Sequence, residues 1–136
     1  IDYKRVRELT EKAVFQYAIK TGSLEYPVRY LSGGNQQKLI LARELAGTAK
    51  VVIACQPTRG LDVGSTEDVH KTLLDLRNKG CSVILISSDI EEILDLSDGI
   101  AVMYRGKIVD VIENDGSIDL TYLGLLMAGS PARRNV

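Results

Sequence analysis

Histidine occurs once in the 136 residues and cysteine twice. Cys55 and Cys81 stand far apart with no paired spacing, and His70 has no cysteine or second histidine beside it. Zinc sites and disulfide frameworks are built from closely spaced Cys and His sets, so neither is indicated. A reducing cytoplasm is the compartment expected. Long apolar runs are missing too: those present are short and interrupted, well below the roughly 20 residues a membrane-spanning helix needs, and no stretch reads as a signal peptide. Excess charge of one sign is also absent. Seventeen Lys and Arg oppose eighteen Asp and Glu, a net charge of -1, which leaves no electrostatic footprint for nucleic acid. Neither internal repeats nor low-complexity segments occur.

What is there suffices for a core: 45% of the residues are apolar in a chain of 14.9 kDa, one domain by the usual prior of about 100 to 200 residues. Val6, Leu9, Ala13 and Tyr17 share a face over residues 2–20, which predicts an amphipathic helix ended by Thr21-Gly22-Ser23. Tyr26-Pro27 favours extended backbone after it. Residues 50–55 form a short β-branched run of the kind found in buried parallel strands. Residues 65–79 predict a helix with Ser65 and Asp68 as a capping-box-like start, Val69, Leu73 and Leu76 on one face, and Gly80 as its end. The run 82–87 is the next strand, completing a parallel strand–helix–strand unit. Ser88 caps a further expected helix reaching about Asp95, with Glu91 three residues on. The runs 100–104 and 107–112 flank Arg105-Gly106, which reads as a tight hairpin. A short helix is expected over 120–128, with Leu123, Leu126 and Met127 on one side, and 130–136, holding Arg133 and Arg134, as a loose tail.

The stretch around which these elements are arranged is LSGGNQQK at 31–38, which runs directly into an apolar helical pattern. Ser32 is a suitable cap, and Gly33 and Gly34 carry no Cβ to hold a ligand away. An open helix N-terminus has unpaired N–H donors and the positive end of the helix dipole, so a phosphate suits it. Taken alone, the bare S-G-G reads first as an ordinary serine-capped helix after a glycine turn.

The longer string LSGGNQQK resembles the signature motif of ABC-transporter ATPases, in the form found in simple-sugar and nucleoside importers. Gln56-Pro57-Thr58-Arg59-Gly60-Leu61-Asp62-Val63-Gly64 resembles the segment that follows the Walker B strand in that family. The resemblance covers nearly the whole chain. It implies an α/β fold: a partial P-loop NTPase core with parallel strands, part of the helical subdomain at 1–30, and the C-terminal part of a nucleotide-binding domain with a β-hairpin at 31–136. In the family two nucleotide-binding halves pack head to tail, and each ATP, with Mg²⁺, lies between the phosphate cradle of one half and the signature of the other. Ser32, Gly33, Gly34 and Asn35 would then contact the γ-phosphate of ATP held by the other half. Asp62 would lie in the loop that crosses the interface. Transmembrane permease subunits are the implied membrane partners, placing the protein peripherally on the inner face of the cell membrane.

The phosphate cradle and three single positions depart from the family. The cradle G-x-x-x-x-G-K-[ST] has no match, so the chain is expected to be a piece of a longer protein, the isolated piece binding no ATP tightly. Where the family ends its Walker B strand in Asp-Glu, this chain has Cys55 and Gln56. A thiol suits Mg²⁺ poorly, and a glutamine amide cannot take a proton from water. The switch histidine corresponds to Ser88. Hydrolysis at this half's own Walker site is therefore not expected. Lys38 and Arg43 are expected on the helix surface, and His70 as a solvated mid-helix side chain.

A non-catalytic regulatory or docking module acting on a partner ATPase is the rival class. A DNA-repair ATPase of the same superfamily is disfavoured by charge and by the NQQK form of the motif. A strand edge left uncovered by the missing cradle strand predicts self-association of the isolated chain.

Overall fold

A computed structural model describes residues 1–47 and 49–130, so the expected tail with Arg133 and Arg134 lies outside the described residues. The chain divides into two units, Ile1–Ile86 and the residues from Ser87.

The first unit opens with α1, Tyr3–Gln16, capped by Asp2, whose carboxylate accepts the Arg5 N–H at 3.0 Å. The helix ends four residues before the expected Lys20. Ala18 takes a left-handed conformation (φ 48°), its N–H goes to the Phe15 carbonyl, and the Ile19 N–H goes to the Val14 carbonyl. That pair of bonds is a Schellman stop, with the buried Ile19 following it. Val6 and Leu9 remain exposed, so only the C-terminal part of the expected apolar face, Ala13 and Tyr17, is half-buried. A 3-10 turn, Val28–Tyr30, interrupts the extended segment expected after Pro27.

Helix α2 spans Gly33–Glu44, strand β1 Val51–Cys55, helix α3 Val63–Asn78 and strand β2 Ser82–Ile86. The two strands pair in parallel, from Val51 opposite Ser82 to Cys55 opposite Ile86. Buried Val69 and Leu73 of α3 supply the core on one side. The other face, with Val51, Ile53, Ile84 and Ile86, is exposed, so β1 is not the fully buried strand its composition suggests. Its β-branched residues alternate between a covered and an uncovered face. Gly80 (φ 85°) ends α3 as expected, with the Cys81 N–H on the Leu76 carbonyl.

The second unit contains α4, Ile90–Leu96, strands β3, Gly99–Tyr104, and β4, Lys107–Glu113, and helix α5, Leu120–Met127. The strands form the expected antiparallel hairpin. Arg105 (φ 47°) and Gly106 (φ 79°) both sit at positive φ, the two-residue turn whose twist matches that of the strands. Ile100, Val102, Leu123 and Leu126 form the core, each contributing roughly 1.5–3 kcal/mol by burial. Met127, expected beside Leu123 and Leu126, is 46% exposed because it falls past the edge of that stripe. Asn114 holds the end of α4, donating to the Leu94 and Ser97 carbonyls at 2.7 Å each.

Candidate functional site

Ser32 has extended backbone (ψ 159°) and caps α2 as the sequence predicts. Its Oγ accepts from the Asn35 N–H at 3.4 Å and from Asn35 Nδ2 at 2.8 Å. The Asn35 Oδ1 in turn accepts the Lys20 N–H at 2.7 Å. Gln36 donates its backbone N–H to the Ser32 carbonyl and its Nε2 to the Leu31 carbonyl, both at 2.9 Å. Of the first-turn donors this leaves the N–H groups of Gly33 and Gly34, which have no carbonyl a turn behind them. Ser32 and Gly33 are exposed, and no atom lies within 4 Å of where a Gly33 Cβ would stand. An anion has room there, and the dipole end of a 12-residue helix favours it.

Gly34 is glycine for a different reason. It is buried, and a Cβ on it would overlap the side chain of Ser65 and come within 3.8 Å of Asp62 Oδ2. Asp62, not Ser65, is the cap of α3: its carboxylate accepts the Ser65 N–H at 3.0 Å and the Ser65 hydroxyl at 2.9 Å. The helix begins at Val63, so Asp62 stands just before it with an ionised acceptor over the first-turn donors, whereas Ser65 already lies within that turn. The Ser65 N–H and hydroxyl hold the Asp62 carboxyl below its ordinary value. The fold thus brings Ser32, Gly33, Gly34, Asn35 and Asp62 to one place, with Ser65 between the two segments.

The exit of β1 is shaped by Gln56, a non-glycine residue at φ 50° whose N–H donates to the Ile86 carbonyl at 2.7 Å. Cys55 beside it is an exposed free thiol. A thiol and a neutral amide do not suit Mg²⁺, and among the described residues no group of three or more His, Cys, Asp and Glu is placed to hold a metal ion. Ser88 belongs to the second unit and is exposed. It does not cap α4: Asp89 does, accepting from the Glu91 and Glu92 N–H groups, while Ser87 Oγ accepts the Asp89 N–H. A carboxylate one residue nearer the helix outcompetes the serine.

Lys38 is not on the helix surface. It is buried, with Nζ 2.6 Å from Asp68 Oδ2 and 3.4 Å from the Ala18 carbonyl. The spacing contained the signal, since 34, 38, 41 and 42 are the buried positions of α2 and follow the helical period. The Lys20 backbone, which no local pattern singles out, and Asp68, expected only in the start of the following helix, are thereby tied to the motif. Arg43 does lie on the surface, paired with Glu44 at 2.6 Å. His70 is half-buried on α3.

No family model matches the chain. Among curated proteins, it is 45% identical over 94% of its length to the guanosine import ATP-binding protein NupO of Bacillus subtilis, covering 24% of that protein. It is 42% identical over 85% of its length to the ribose import ATP-binding protein RbsA of Hahella chejuensis, covering 23% of it. It is 38% identical over 96% of its length to the arabinose import ATP-binding protein AraG of Paraburkholderia xenovorans, covering 25% of it. The chain spans about a quarter of the length of these relatives. Among solved structures, an ATP-binding cassette dimer bound to ADP and Pi superposes with a TM-score of 0.72 at 23% identity, over 85% of this chain and 50% of that one. The cbiO1 protein of Clostridium perfringens, part of an ABC transporter complex, gives 0.66 at 23% identity, over 85% and 46%.

Proposed function

The chain belongs to the ABC-type ATP-binding proteins, its homologues being those of sugar and nucleoside import, and on that premise we propose that it supplies the signature half of a composite ATP site. The parent protein would be the energy-coupling subunit of an importer for sugars or nucleosides. ATP with Mg²⁺ would be gripped by the cradle of the other nucleotide-binding half. The mouth of α2, with the Ser32 hydroxyl and the Gly33 and Gly34 N–H groups, would meet its γ-phosphate, and Asp62 would lie at the interface between halves. Charge on that phosphate is what positioned donors stabilise in phosphoryl transfer. The observation that carries this reading is the exposed, sterically open first turn of α2 at Ser32 and Gly33.

Cys55, Gln56 and Ser88 stand where the family places its metal carboxylate, its water-handling carboxylate and its switch histidine. With a thiol, an amide and a hydroxyl there, this half's own Walker site would not hydrolyse ATP. Coupling to transport would pass through permease subunits in the membrane, at whose inner face the protein would sit. Turnover in the full-length protein assembled with its permease tests the reading. Ser32→Ala should lower turnover by on the order of 10- to 100-fold with assembly intact. Unchanged turnover would instead favour a regulatory or docking module that contributes no group to the site.

A further inference from the structure

Asn35 has both ends of its side-chain amide engaged inside the protein. The Lys20 N–H is a donor that only an oxygen can satisfy, so Oδ1 faces Lys20 and Nδ2 must face Ser32. Ser32 Oγ then receives two donors from one residue, the Asn35 backbone N–H and Nδ2. A hydroxyl has two acceptor lone pairs and one proton. With both lone pairs directed to Asn35, the proton has only the outward direction left, toward the exposed side of the mouth.

We propose that Asn35 is a positioning residue that makes Ser32 an obligate hydrogen-bond donor toward a phosphate at the mouth of α2, an inference that rests on the reading given above. Asn35 acts through Ser32 rather than by touching the phosphate with its own side chain. The same amide ties this proton to the backbone at Lys20, two residues beyond the Schellman stop of α1. Lys38 holds the Ala18 carbonyl of that stop as well. Two side chains of α2 therefore fasten the exit of α1, and one of them sets the orientation of Ser32. Displacing the Lys20 backbone would release Oδ1, free the amide to turn, and let the Ser32 proton point elsewhere.

The test is a double-mutant cycle on steady-state ATP turnover in the full-length protein assembled with its permease. Ser32→Ala should lower kcat in the otherwise unchanged protein by on the order of 10- to 100-fold. In an Asn35→Ala background the same Ser32→Ala change should cost no more than about threefold, because the hydroxyl is no longer oriented. The loss should fall on kcat rather than on KM for ATP, since the other half grips the nucleotide. Asn35→Asp serves as a second background: it keeps an acceptor for the Lys20 N–H, removes only the donor to Ser32, and draws the serine proton inward. An undiminished Ser32→Ala effect in both backgrounds overturns the positioning role while leaving the phosphate contact standing. No effect of Ser32→Ala in the unchanged protein overturns both.

Discussion

Gly34 of α2 and Ser65 of α3 approach so closely that a single added Cβ on the glycine would occupy the space of the serine side chain. Ser65 is itself bonded twice to Asp62, so the N-terminus of α2 rests on the cap of α3. The motif glycine is thus a packing requirement, and the segment proposed to meet the phosphate is mechanically joined to the one proposed to lie at the interface between halves.

Gly34→Ala should therefore destabilise the first unit by about 1–3 kcal/mol, the usual cost of overpacking. Urea unfolding followed by circular dichroism measures it. Ser65→Gly in the same chain should restore most of the loss by opening the space. A destabilisation that Ser65→Gly leaves untouched would place the cause elsewhere.

Lys38→Met keeps the length of the buried stem and removes the ammonium from Asp68 and from the Ala18 carbonyl. The Asp68 side chain is 48% exposed, so solvent compensates it in part. A loss of about 1–2 kcal/mol follows, larger than for an exposed pair. Arg43→Met, which breaks the exposed pair with Glu44, should cost no more than about 0.5 kcal/mol by the same denaturation assay. Equal costs for the two would contradict the burial of Lys38.

Those two lysine and arginine positions also mark the limit of what the sequence made legible. The elements, the parallel pairing and the hairpin turn were readable because periodicity and turn chemistry are local, as Arg105-Gly106 illustrates. The cap at Ser32 was readable for the same reason. The charge of Lys38 points to the surface, while its place in the 34, 38, 41, 42 series points to the core. At the starts of α3 and α4, Ser65 competes with Asp62 three residues before it and Ser88 with the adjacent Asp89, and which one caps depends on where the helical backbone begins, which residue type alone does not encode. The Gly34 contact lies between helices 31 positions apart in sequence at that point, beyond any local pattern.

Ala18 sits at φ 48° in the Schellman stop of α1, where glycine is the usual occupant. An L-residue there costs roughly 1–2 kcal/mol of conformational strain, against about 0.5–1 kcal/mol of extra chain entropy lost by glycine. Ala18→Gly should raise stability by about 0.5–1 kcal/mol, read as a higher urea midpoint with an unchanged slope. Replacement by Val should move it the other way.

Acid should weaken the fold through Asp62. Its carboxyl is held below the ordinary value by the Ser65 N–H and hydroxyl. A depressed carboxylate stabilises the folded state above its unfolded-state pKa, about 3.9, and that contribution is lost as pH falls through the lower folded-state value. Asp62→Asn keeps a good cap without the titration, so the decline in unfolding temperature below about pH 4 should become shallower. It should not vanish, because Ser117 likewise holds the Asp115 carboxyl low in the second unit. An acid limb of unchanged steepness would mean that the Ser65 bonds do not persist in solution.

Self-association of the isolated 136 residues follows from the sheet of the first unit. Among the described residues β1 and β2 hydrogen-bond only to each other, so each keeps one edge of unpaired N–H and C=O groups. Val51, Ile53, Ile84 and Ile86 extend that hazard across an exposed face of four β-branched side chains. Exposed flat strands of this composition pair with other chains unless a charge or a covering element prevents it. Sedimentation velocity should give a mass above 14.9 kDa that grows with concentration. Ile53→Lys together with Ile84→Lys should return the chain toward monomer, because a charge on each strand opposes both face-to-face contact and edge pairing. A strictly monomeric profile of the unaltered chain over a wide concentration range would show that the apolar face and strand edges are protected in solution.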